Sequence, residues 1–142
     1  MELELALLAD AANVSREGKL NILGVFDAIY VQRFPCQFPQ MQLILRFRAD
    51  PVETGRAYKV EIQIIDQDGK KLTKLDGELG FPDSPEKSKG LPMRADHILG
   101  FANAVFERPG PYEFVILVNG EVRKRVSLYV AEKPPVGPAA AA

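Results

Sequence analysis

The sequence predicts an all-β protein, an antiparallel β-sandwich of seven to eight short strands, and three observations carry that prediction. Residues 3–7, 41–48, 58–65 and 112–118 alternate apolar with polar side chains at the period of two that marks half-buried strands. Turn residues recur every ten to fifteen positions, and no stretch has the spacing of a confident helix. A small closed β-barrel is the alternative architecture. The 142 residues suit one domain, expected over 1–132, with 133–142 as a loose tail of prolines and alanines.

The first strand is read at Glu2–Leu7, with Leu3, Leu5 and Leu7 on one face. A turn at Ser15–Lys19 leads to Leu20–Phe26, whose apolar residues point both ways and therefore predict a central strand. Gly24 inside it signals a bulge or a close backbone approach. Pro35 and Pro39 are expected to stop any regular ladder before the strand that places Met41, Leu43, Leu45 and Phe47 on its apolar face. Tyr58–Ile64 and a strand ending near Phe81 form a hairpin about Asp66-Gln67-Asp68-Gly69. The proline-rich loop 82–90 follows, then a strand over His97–Phe106, where alanines compete for helix. Pro109-Gly110-Pro111 turns the chain into Tyr112–Val118, and Asn119-Gly120 turns it back through Glu121–Val130. For this last hairpin a three-residue loop with Gly120 in a bulge is expected, pairing Ile116 with Val122 and Tyr112 with Val126.

Three segments carry a resemblance: Ala9-Asp10-Ala11-Ala12 with Gly18 to Asp27, Arg33-Phe34-Pro35 to Arg48, and Pro109-Gly110-Pro111-Tyr112-Glu113-Phe114 through Asn119-Gly120-Glu121. Over roughly residues 1–132 the chain resembles a family of small bacterial all-β proteins known only as a domain of unknown function. The resemblance implies an immunoglobulin-like sandwich. It brings no activity, substrate or site, since its motifs belong to the fold and not to chemistry.

Composition narrows the function. Eighteen Lys and Arg against nineteen Asp and Glu give a net charge of -1, too little field to gather nucleic acid or anionic lipid. No run of eighteen uncharged apolar residues occurs, and the acidic start Met1-Glu2-Leu3-Glu4 does not read as a secretory signal. With Cys36 as the one cysteine, a cytoplasmic setting is expected.

Chemistry is thin. A Cys36–His97 pair is the one nucleophile and base on offer, and a small buried thiol is the plainer reading. Asp66 and Asp68, one residue apart in a turn, are expected to face solvent and bond their own backbone, without the further acids of a calcium loop. No phosphate-cradling glycine loop is present. Arg46 and Arg48 could merge with Arg123-Lys124-Arg125 into one basic patch only if their strands are neighbours. The expectation is therefore no catalytic residue, no cofactor and no metal.

Six serines and threonines and no tryptophan also count against a small-molecule or carbohydrate-binding module, which is the alternative reading. The leading one is a non-catalytic protein acting by protein contact, as a self-associating chain or an accessory subunit. Its candidate contact surface is Arg33, Phe34 and Phe38, aromatics and an arginine on a proline-stiffened loop. One ring is expected to plug the core and the other to face outward.

Overall fold

The computed structural model describes residues 1–81 and 89–133. Most of the expected loop at 82–90 and of the expected tail lies outside them. The described chain forms nine strands: β1 Glu2–Val14, β2 Leu20–Phe26, β3 Ala28–Val31, β4 Cys36–Ala49, β5 Tyr58–Ile65, β6 Lys71–Leu79, β7 Met93–Phe106, β8 Gly110–Val118 and β9 Glu121–Glu132. A short 3-10 turn at Pro51–Glu53 links β4 to β5. Sheet A has the order β2-β1-β4-β7 and sheet B the order β3-β9-β8-β5-β6, so the sandwich is confirmed and no barrel closes.

The core lies between the sheets because the alternating strands aim one face each at the other sheet. Met41, Leu43, Leu45 and Phe47 of β4 are essentially unexposed, as are Phe114 and Ile116 of β8 and Leu128 and Val130 of β9. Phe101 of sheet A meets Phe114 of sheet B edge to face, with centroids 5.4 Å apart. Full burial of such a side chain contributes roughly 1.5–3 kcal/mol, so this layer holds the two sheets together.

Five details depart from expectation. First, β1 carries a bulge: Leu3 pairs with inward Phe47, but Leu5 pairs with outward Arg46, so Glu4 is an extra residue that resets the alternation. Leu3 and Leu8 join the core while Leu5 and Leu7 turn to the outside of sheet A.

Second, β2 is an edge strand and not a central one. Its two-sided apolar pattern leaves Leu23 72% and Val25 62% exposed.

Third, β4 runs through Pro39 from Cys36. Its ladder with β1 ends at Gln42, so the missing Pro39 N–H breaks no bond on that side.

Fourth, β3 lies parallel to β9. The chain leaves sheet A at Asp27, whose carbonyl accepts the Tyr129 N–H at 2.8 Å, and continues along sheet B.

Fifth, Asn119 and Gly120 form a two-residue turn, both at positive φ (49° and 83°), with Val118 opposite Glu121. The bulge falls one step later, at Arg123, and pairs Ile116 with Lys124 and Tyr112 with Leu128. Two positive-φ residues match the strand twist, and the displaced bulge still turns Val126, Leu128 and Val130 inward.

Candidate functional site

The residues singled out for chemistry are kept apart by the fold. Cys36 sits opposite Phe106 at one end of the β4–β7 ladder, and His97 sits opposite Leu45. Nine residues of β4 separate the two positions, roughly 30 Å at 3.3 Å per residue. Burial pushes the Cys36 thiol up, against a smaller hydrogen bond from the Phe106 backbone, so it stays protonated at neutral pH. His97 rests edge-on against Phe47 at 5.7 Å, and burial lowers its pKa, with Asp96 opposing.

Asp66 does bond its own turn, its Oδ1 accepting the Asp68 and Lys70 N–H groups at 2.9 Å. It does not stand free in solvent: Arg108 binds Asp66 at 3.5 Å and Asp68 at 2.8 Å. The basic clusters do not merge. Arg46 and Arg48 lie on sheet A, Arg123 to Arg125 on sheet B, and Arg46, Arg48, Arg123 and Arg125 each face an acid. Phe34 and Phe38 both pack, half-buried, against the core, and Arg33 is exposed. The expected split of one ring in and one out is thus corrected, because the strand β4 already begins at Cys36 and carries Phe38 inward.

What distinguishes the molecule is the contrast between its two outer faces. The outside of sheet B is charged: Arg125 pairs with Glu113 at 3.4 Å, and Lys74 with Glu61 at 3.2 Å. The outside of sheet A carries an apolar patch. Leu7, Ile44 and Ile98 form one row across β1, β4 and β7, and Val25, Ala9, Gln42 and Gly100 the next. Leu23 and Ala11 extend the patch. Within it, Oε1 of Gln42 is buried with no hydrogen-bond partner among the described residues, an arrangement that normally costs about 1–3 kcal/mol. Arg46 and Asp96 close the patch at one end. The alternation of β1 misled here, since a bulge at Glu4 leaves no mark in composition. The signal that could have found the face was the apolar pattern on both sides of β2.

A second feature lies where the sheets part, between β6 and β7, the end strands of their sheets among the described residues. Two cavities share Leu75 there. One, of about 90 Å³, is lined by Phe47, Val60, Gly77 and His97 with Asp76 and Glu78 at its side. The other, of about 410 Å³, runs along Gly100–Phe106 of β7 over Ile64 and Leu72. Gly77 faces inward opposite Val60 and contributes no side chain, which opens the notch.

A two-sheet β-sandwich with an apolar patch on the outside of one sheet is the class of protein this geometry defines. The chain belongs to the family of unknown function DUF6941, whose model matches residues 4–131. A comparison with curated proteins finds no match. Among solved structures, a glycosyl hydrolase family 2 member from Bacteroides cellulosilyticus is similar at TM-score 0.37 and 8% identity, over 68% of this chain and 14% of that one. The alkylpurine DNA glycosylase AlkC of Pseudomonas fluorescens is similar at TM-score 0.37 and 12% identity, over 89% of this chain and 30% of that one. This chain thus spans less than a third of either structure.

Proposed function

We propose that the protein is a non-catalytic, cytoplasmic interaction module that works by contact with another protein chain through the outer face of sheet A. The observation that carries this is the apolar patch on that face, with Leu23 and Val25 largely exposed beside the fully buried Ala9 and Ile44, set against a sheet B whose outer face carries the Lys74–Glu61 and Arg125–Glu113 ion pairs. Contact through this face would remove Leu23 and Val25 from water and offer a donor to the buried Gln42 oxygen. The separation of Cys36 from His97 supports the non-catalytic part, and a single cysteine, which cannot close a disulfide within the chain, fits a reducing compartment.

The test is a Leu23→Lys, Val25→Lys variant compared with an Arg125→Ala variant on the opposite face. Sedimentation of the pure chain detects a second copy, and affinity capture from cytosol detects a different subunit. The reading expects the sheet A variant to lose the association while the sheet B variant keeps it. Association that survives the two lysines overturns it.

A further inference from the structure

Among the described residues β2 ends sheet A and pairs with β1 alone. Its backbone groups divide by parity. The Ser15 N–H bonds the Lys19 carbonyl at 2.8 Å, and the same ladder continues through Asn13 with Asn21 and Ala11 with Leu23, so the odd-numbered residues turn their N–H and C=O toward β1. Leu20, Ile22 and the even positions after them turn theirs to the open edge, a row of groups that templates one more strand. Such edges are commonly blunted by charge, as β6 is by its exposed Lys71, Lys74, Asp76 and Glu78. From Leu20 to Phe26, β2 has neither a charge nor a proline.

The strand does have a charge at each end, Lys19 before it and Asp27 after it, both exposed. The two stand at equal distance on either side of Leu23, and alternation puts them with Asn21, Leu23 and Val25 on the outside of sheet A. A second copy laid antiparallel along this edge, about a two-fold axis at Leu23, would set Lys19 of each copy opposite Asp27 of the other, Asn21 opposite Val25, and Leu23 against itself. On the inner side Leu20 would meet Phe26 and Ile22 would meet Gly24. The kink of each copy at Gly24 (φ +71°) would then lie beside a regular residue and not beside a second kink. An axis one residue away loses both ion pairs: at Ile22 it sets Lys19 opposite Val25, and at Gly24 it sets Asp27 opposite Asn21.

We infer that the protein pairs with a second copy of itself through the edge of β2, so that one sheet runs β7-β4-β1-β2 in one copy and β2-β1-β4-β7 in the other. An identical strand run antiparallel is a partner whose charges match at both ends by symmetry. Main-chain bonds from the even positions supply the affinity, and the Lys19–Asp27 pairs set the register. The inference rests on the protein-contact reading above and names the partner as a second copy. The apolar patches of the two copies then join across the axis at Leu23.

Sedimentation equilibrium of the intact protein measures the association. Lys19→Glu alone and Asp27→Lys alone each set like charges opposite one another at both ends, so each should weaken self-association at least tenfold. Mixed in equal amounts, the two variants should associate with each other about as tightly as the unaltered chain does with itself, because every facing pair is again of opposite sign. An unchanged melting temperature verifies the fold of each variant.

Leu23→Cys in a Cys36→Ala background tests the axis. Facing residues of a non-hydrogen-bonded antiparallel pair lie about 4.5 Å apart at Cα, within reach of a disulfide, so oxidised glutathione should link two copies through this position. Asn21→Cys in the same background should not link, because its counterpart lies four residues along the pair, roughly 13 Å at 3.3 Å per residue. An unaltered chain that stays monomeric, charge variants that do not recover on mixing, or Asn21→Cys linking as fast as Leu23→Cys each overturns the inference. If both charge variants associate normally while Leu23→Lys with Val25→Lys does not, the edge pairing falls and the contact face stands. If none of these variants changes association, both fall.

Discussion

Arg46 and Asp96 face each other across β4 and β7 and join by two hydrogen bonds, Nε to Oδ1 at 2.6 Å and Nη2 to Oδ2 at 3.0 Å. Their side chains are only 25% and 11% exposed, at the end of an otherwise apolar sheet face. The pair satisfies two charges where little water reaches them, and it tethers the edge strand β7 to the sheet.

Asp96→Ala is therefore expected to lower stability by about 1.5–3 kcal/mol, the range for hydrogen bonds to charged groups. Urea unfolding measures it, and Arg46→Ala in the Asp96→Ala background should add little, because the partner is already gone. Additive losses would show that the two side chains act separately.

Phe34 and Phe38 are each half-buried against the core. Truncating either to alanine should cost less than the roughly 3–5 kcal/mol of a fully buried phenylalanine, about half of it, in the same unfolding assay. A cost within about 0.5 kcal/mol for either ring would place it on the surface.

At Gly24 the backbone stands at φ +71°, and a side chain added there would collide with Oδ2 of Asp10. Gly24→Ala should destabilise by at least about 1–2 kcal/mol from the left-handed backbone alone, with the collision adding to it. In an Asp10→Ala background the collision part should vanish and the backbone part remain. A double-mutant cycle with no coupling would contradict this geometry.

His97 has a pKa held below the ordinary 6.5 by burial, only partly offset by Asp96. The folded protein therefore prefers the neutral ring, and protons bind more readily to the unfolded chain. Stability from this group is present above pH 6.5 and is lost as pH falls from there through the lower folded-state value. Denaturant midpoints measured between pH 7.5 and 5.5 should decline, and His97→Gln should flatten the decline. An equal slope in the variant would assign the effect elsewhere.

Alternation along β4, β5 and β8 was enough to assign strands and to name the core residues Met41, Leu43, Leu45, Phe47, Phe114 and Ile116. That information is local: a residue and the one two places on share a face whatever surrounds them. The turn at Asp66–Gly69 and the special backbone at Gly24 were legible for the same reason, since Gly69 and Gly24 take their positive φ within a few residues of chain.

The facing of Leu5 and Leu7, the edge position of β2, the parallel β3 and the bulge at Arg123 were not legible, and the first two make the candidate site. The first three depend on which distant strand lies alongside, while the bulge at Arg123 is set within the β8–β9 hairpin. Leu5 turns outward because Leu3 has already paired with Phe47 and Glu4 fits no pair, and β2 is an edge because sheet A ends there. Period two says which side chains share a side of a strand. Which side meets a second sheet, and which strand is left without a neighbour, is settled by pairings between residues forty or more positions apart, such as Leu3 with Phe47.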